Sequence, residues 1–235
     1  MVQKDVENLS ANNIGKTSSA IGIEVVFYTD PLCCWTWAMH PQWKRILAEL
    51  GSRLPVAVKY KMGGLLPSWK HFSDKVNSIQ KPIQMGPEWM HARVLSGVQI
   101  NDRIWITDPP ASSFPACIAV KCVELASPQM VPDFLYLLQE TVMVKGLNIA
   151  RTDMLLQCGA ALKVRHPVFD LGKFKAALLG EEGRAAFRKD LQECKYLSIH
   201  RLPTILFKSS DGRSILLSGY QSYESLNNAC SKLIT

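Results

Sequence analysis

No two cysteines of the 235-residue chain stand three positions apart, so a dithiol site of the Cys-x-x-Cys kind is excluded. Also missing are an apolar run of about 18 residues, a His-Glu-x-x-His stretch, a Gly-rich phosphate loop and a Gly-x-Ser-x-Gly turn. These absences rule out, in turn, a membrane-spanning helix, the commonest zinc-protease site, a P-loop and a nucleophile-elbow hydrolase. The five histidines (His40, His71, His91, His166, His200) show no metal-ligand spacing. The seven cysteines are too few and too irregular to staple a disulfide scaffold. Basic block there is none. The net charge of +7 is spread among residues such as Lys173, Lys175, Arg184 and Arg188, which alternate with Glu181, Glu182, Asp190 and Glu193. That alternation describes a solvated helical surface, and no nucleic-acid partner is expected. Residues 1–20 are polar, have no apolar core of a secretory signal, and read as a poorly ordered lead-in. A cytoplasmic, reducing location is therefore expected, with thiols free and no membrane partner.

What is present is a chain with 47% hydrophobic and 20% charged residues, enough to bury a substantial core. Ile23 to Tyr28, apolar but for Glu24, reads as a buried strand broken at Asp30-Pro31. Helical spacing then runs through Trp37, Met39, Trp43, Ile46, Leu47 and Leu50, with a kink expected at Pro41 and a stop at Gly51. Val56, Val58, Tyr60 and Met62 alternate with Ala57, Lys59 and Lys61, giving a second strand. Strand, helix and strand this close together form a right-handed βαβ unit with parallel strands.

From Leu66 to about Ile199 the patterns are helical: 88–96, 113–126, 132–145, 149–164, 171–179 and 181–197. Strand character returns at 202–208, turns at Ser209-Ser210-Asp211-Gly212, resumes at 215–217, and a last helix covers 222–234. The order is βαβ, a long helical insert, then ββα. The expected division is 21–64 with 200–235 as one α/β unit and 65–199 as a helical insertion domain.

The chemistry concentrates at Cys33. A cysteine where a strand hands over to a helix meets unpaired N–H groups and the positive helix end, and both favour thiolate. Such a place can bring a thiol from ~8.5 to roughly 3.5–7.5. The alternative is a cysteine packed as a small hydrophobe, which is how Cys117, Cys122, Cys158, Cys194 and Cys230 read. The stretch Phe27 to Trp37, with Asp30-Pro31-Leu32-Cys33 and a tryptophan at Trp35, resembles the active-site region of DsbA-like proteins of the thioredoxin superfamily. The similarity is greatest to the cytoplasmic branch of predicted dithiol-disulfide isomerases. Gly63-Gly64-Leu65 after the second strand also resembles that family, as do Ser112 to Cys117 and Gly146 to Ile149.

The resemblance implies a thioredoxin fold interrupted by a helical domain. It also implies a cis-proline facing the cysteine, and Leu202-Pro203-Thr204 stands at that place. Leu202 and Thr204 would flank a peptide-binding groove, with Gly63 and Gly64 on its border, Trp35 on its rim and Cys34 a further substrate-binding residue. Trp37 reads as a core anchor, His40 as exposed helix near the groove, and His200 as a possible neighbour of Cys33. The family's second cysteine is replaced by Thr36, whose hydroxyl can bond the Cys33 thiolate but cannot attack a mixed disulfide. Asp30 opposes thiolate formation, and no acid stands at Phe27, where relatives of this fold often bury one. The function expected is a monothiol thiol–disulfide oxidoreductase or isomerase. No tightly bound cofactor is expected; glutathione is a candidate co-substrate, and protein or peptide thiols and disulfides are the partners. A kappa-like glutathione-dependent transferase or isomerase, and a non-catalytic adaptor that binds client peptides, are the alternatives.

Overall fold

The computed structural model describes residues 22–72 and 79–234. The lead-in of residues 1–20 lies outside the described residues. Four strands form one sheet: β1 (Ile23–Thr29), β2 (Val56–Met62), β3 (Thr204–Ser209) and β4 (Ser214–Ser218), in the order β2-β1-β3-β4. β1 pairs parallel with β2, from Ile23↔Val56 to Thr29↔Met62, and antiparallel with β3, from Ile23↔Ser209 to Tyr28↔Thr204. β3 and β4 form the hairpin, closed by Gly212 at a φ of 93°. This is the thioredoxin topology.

β1 carries apolar side chains on both faces because both faces are covered. Ile23, Val25 and Phe27 point into the main core beneath α1 (Cys34–Gly51), where Phe27 packs against Trp43 with centroids 4.8 Å apart. Val26 and Tyr28 point the other way, onto Cys194, Ile199, Leu202 and Leu206. α1 runs without interruption through Pro41 and through Gly51. The helix ends at the expected glycine, which is its last residue. The end is closed by Ser52, whose hydroxyl donates to the Glu49 carbonyl at 2.9 Å.

Between the strands the chain is helical: α2 (Met85–Ser96), α3 (Ile104–Thr107), α4 (Phe114–Ala126), α5 (Val131–Gln139), α6 (Thr152–Arg165), α7 (Leu171–Leu179) and α8 (Glu182–Tyr196). α5 continues as a π-turn over Glu140–Val144, which is why one apolar pattern spans both. α9 (Tyr223–Ile234) returns to the sheet, packing on α1 and β3. No helix among the described residues is long and apolar enough to cross a membrane.

A buried ion pair ties the helical segment to the sheet. Lys121 of α4 meets Asp190 of α8 at 2.9 Å, with side chains 4% and 2% exposed. The same Asp190 carboxylate accepts the Met62 N–H at 2.9 Å, so β2, α4 and α8 converge on one oxygen. Lys121 also pairs with Glu124, and Lys61 with Glu193, which accepts the Tyr28 hydroxyl at 2.8 Å. Charges this deeply desolvated hold position only while their partners remain.

Candidate active site at the Cys33 turn

The turn after β1 is built around a carboxylate. Asp30 is fully buried, and its Oδ1 accepts the Leu32 N–H at 2.8 Å. Its Oδ2 accepts the Leu65 N–H at 2.7 Å, the Ser113 hydroxyl at 2.7 Å and the Cys117 thiol at 3.2 Å. One side chain thus fixes the Cys33 turn, the segment after β2 and the start of α4. Burial raises the Asp30 carboxyl above its ordinary range, although these donors pull it back. Cys117, expected as a core residue, is buried and also a donor to this hub; burial and the neighbouring Asp30 hold its thiol far up.

Cys33 is the N-cap of α1, its N–H bonded to the Asp30 carbonyl at 3.0 Å and its carbonyl accepting from Thr36 and Trp37. The residue is only 3% exposed, and burial pushes its thiol up to about 11. The Thr36 hydroxyl and the N–H groups of Thr36 and Trp35 pull the other way, while Asp30 adds to the rise. The expected acidic thiol is thus reversed. The donors at the helix end are in place, but removing the sulfur from water outweighs them. Thr36 is buried, and its hydroxyl shares a 2.9 Å hydrogen bond with Thr29 while also reaching the Cys33 thiol. Cys34, expected to bind substrate, is buried in the main core; burial, then Cys33, raises its thiol strongly.

The Leu202–Pro203 peptide bond is cis. Since Tyr28 pairs with Thr204, continuing the register by one residue sets Pro203 across from Thr29, at the sheet end where Thr36 and Cys33 lie. The Pro203 carbonyl is taken by the Gly219 N–H at 2.7 Å, and the Thr204 hydroxyl donates to the Arg201 carbonyl at 2.6 Å. Thr204 is buried, so it shapes the loop from within. Leu202 is half-buried, and among the described residues neither its N–H nor its C=O has a hydrogen-bond partner.

Gly63 and Gly64 serve packing. A Cβ at Gly63 would stand 2.6 Å from Leu202 Cδ1, and one at Gly64, whose φ is 64°, would stand 2.8 Å from Leu191 and 2.9 Å from Phe114. Gly63 therefore seats the Leu202 side chain, while Gly64 makes room for the insert.

Trp35 forms the rim. Its indole N–H donates to Glu88 Oε1 at 2.5 Å, its ring meets His91 edge-on at 5.1 Å, and Tyr220 lies 6.0 Å away. Glu88, His91 and Tyr220 come from α2 and from the segment after β4. No local signal marks them, because only the packing of the insert brings them to Trp35. Trp37 is buried and donates to the Gln99 carbonyl at 2.9 Å. His40 is not on an exposed face: it is half-buried, 4.7 Å from the Tyr136 ring. His200 is exposed, with no recorded contact to Cys33. All seven cysteines are free, and no cluster able to hold a metal occurs among the described residues. A concavity of about 510 Å³ opens at the far end of the sheet beside Glu24 and Lys208 and carries none of these groups.

A family profile described as Thioredoxin matches residues 26–228. The chain belongs to the thioredoxin family. Within curated proteins it is similar to the ClpXP adapter protein SpxH of Halalkalibacterium halodurans, 26% identical over 203 residues, 86% of this chain and 64% of that one. This thioredoxin-family chain thus spans under two thirds of the length of that relative. Among solved structures it is similar to a putative protein disulfide isomerase from Nitrosomonas europaea, with a TM-score of 0.72 and 19% identity, covering 90% of this chain and 97% of that one. It also resembles the cytosolic disulfide reductase DsbM from Pseudomonas aeruginosa, with a TM-score of 0.63 and 22% identity, over 83% and 89% of the two chains. DsbM has also been solved with GSH. These likenesses speak for the fold.

Proposed function

We propose that this chain is a monothiol thiol–disulfide exchange protein whose Cys33 joins polypeptide or glutathione substrates in mixed disulfides. The observation that carries the reading is the pairing of a lone N-cap thiol with the unpaired Leu202 peptide at the same sheet end. An extended substrate adds to Leu202 as a strand adds to an edge, which brings its sulfur to Cys33. The Cys33 thiolate attacks a substrate disulfide, forming one S–S bond and releasing the other sulfur as thiolate. A second, external thiol such as glutathione then attacks the substrate sulfur of the mixed disulfide, forming a disulfide with the substrate and releasing Cys33 as thiolate. Thr36 holds the thiolate but supplies no sulfur, so net oxidation of dithiols by this site alone is not supported. The likeness to DsbM and its GSH-bound form fits glutathione as the external thiol and a cytoplasmic setting.

A second reading is favoured by the burial of Cys33 and its thiol at about 11: the groove binds client polypeptide without turnover, as the adapter name of the curated relatives suggests. Turnover of a peptide–glutathione mixed disulfide, compared between wild type and Cys33→Ser, separates them. The exchange reading predicts turnover that the variant loses while extended-peptide binding persists. Peptide binding by both proteins with turnover by neither would replace it with the adaptor reading.

A further inference from the structure

The Leu202 peptide has a charged neighbour that the exchange chemistry leaves unused. Arg201 is exposed, and its carbonyl accepts the Thr204 hydroxyl at 2.6 Å. Its guanidinium makes no ion pair or hydrogen bond among the described residues. The guanidinium is nevertheless seated. A Cβ on Gly219 would stand 3.0 Å from Arg201 Nε and 3.2 Å from its Cζ, so the group lies against the backbone of that glycine. Gly219 has a φ of 81°, a conformation that itself favours glycine. The turn beneath is pinned on three sides. Gly219 N–H donates to the Pro203 carbonyl at 2.7 Å, the Gln221 amide donates to the Ser218 carbonyl at 3.0 Å, and the Tyr220 hydroxyl accepts from Gln42 at 2.8 Å. Tyr220 faces Trp35, two positions after Cys33, at 6.0 Å. The positive charge is thus held on the rim, one residue from the peptide that receives substrate.

The acids of this region are engaged elsewhere. Asp30 is buried and accepts from Leu32, Leu65, Ser113 and Cys117. Glu193 pairs with Lys61 and accepts the Tyr28 hydroxyl, and Glu88 accepts the Trp35 indole N–H. A guanidinium takes a carboxylate through two parallel hydrogen bonds, a geometry an ammonium cannot match. A substrate strand laid on Leu202 advances about 3.3 Å per residue, so a carboxylate one or two residues from its cysteine comes alongside Arg201.

We infer that Arg201 is a specificity-determining residue that selects disulfide substrates bearing a carboxylate beside the reacting sulfur, carried by an acidic polypeptide or by glutathione. The inference rests on the exchange reading of Cys33 and names the substrate class of that site.

The test uses the full chain and short extended peptides whose single cysteine carries a 2-thiopyridyl disulfide, with Glu, Gln or Lys beside it. The Cys33 thiolate bonds the peptide sulfur and 2-thiopyridine leaves, so absorbance gives the rate and mass mapping of the adduct gives the site. At low salt the Glu peptide should react about three to five times faster than the Gln peptide, and the Lys peptide slowest, the effect of one partly exposed charge pair. That Glu-to-Gln ratio should fall to about one in Arg201→Gln and survive in part in Arg201→Lys, which a purely structural arginine would not produce. The 2-thiopyridyl disulfide of glutathione, set against its glycine-amidated form, separates the two sources: discrimination in this pair assigns glutathione, and discrimination in the Glu and Gln pair assigns an acidic polypeptide. Cys33 adducts formed at equal rates within both pairs would overturn the inference and leave the exchange reading standing. A preference that persists in Arg201→Gln would overturn it as well. Absence of any Cys33 adduct, even with the neutral peptide, would defeat the exchange reading and this inference with it.

Discussion

A thiol held at about 11 makes a quantitative claim about how Cys33 reacts. Relative to its ordinary value of 9.0, the shift lowers the thiolate population at neutral pH by about two powers of ten. Expressed as free energy, the charged form is disfavoured by on the order of 3 kcal/mol. The less acidic thiolate is intrinsically the better nucleophile, and a Brønsted slope of about 0.4–0.5 returns roughly six- to tenfold. The net expectation is alkylation about ten to fifteen times slower than an unburied cysteine, before limited access slows it further. The perturbation is pH. Iodoacetamide labelling of the native chain, read peptide by peptide with fragment spectra that separate Cys33 from Cys34, gives the rate at each pH. It should rise about tenfold per pH unit from about pH 7 to about pH 10 without levelling. A plateau with its midpoint below about pH 8 would refute the reasoning, because the helix-end donors would then outweigh burial.

Thr36→Cys supplies the missing resolving sulfur at the right spacing from Cys33. Intact-mass measurement under oxidising conditions should show an internal disulfide, and reduction of an external disulfide should speed up; an unbridged variant would contradict the local geometry. Asp30→Asn tests the buried carboxyl. A raised acid favours the folded state below its unfolded value and loses that advantage as pH rises through its folded value. The stability of wild type relative to Asp30→Asn, from urea unfolding, should therefore decline as pH rises above about 4. A relative stability that climbs would show the donors to dominate. Lys121→Met removes the nearer of the two cations on Asp190, leaving Lys61 at 3.3 Å, and should cost no more than about 3 kcal/mol in the same assay. Adding Asp190→Leu should recover part of that loss, short of the Met62 N–H left unpaired.

The strand order was legible because period and composition agree locally: Ile23 to Tyr28 is buried on both faces, Val56 to Met62 alternates, and Pro203 opens β3. Helices 171–179 and 181–197 were divided at Gly180 and matched closely. α3 was not legible, since a single turn at Ile104–Thr107 is too short to show a period. The end of α1 was legible to within one residue, Gly51 being its last helical residue and Ser52 its cap. At the site, the expectation that Pro203 stands at the Cys33 and Thr36 end of the sheet came from the family resemblance together with the βαβ…ββα order. The state of the sulfur did not, because burial is set by surfaces remote in sequence. Asp30 shows the same limit: Ser113 and Cys117, more than eighty positions away, decide its environment. His40 looked exposed on its own helix and is covered only because Tyr136 of α5 packs over it.

The most direct measurement is site-resolved mass spectrometry of the native chain after exposure to a peptide carrying an activated disulfide. An adduct on Cys33, alone of the seven cysteines and diminished by an excess of extended peptide without a thiol, is the predicted result. Adducts on other cysteines with Cys33 unmodified would contradict exchange at this site.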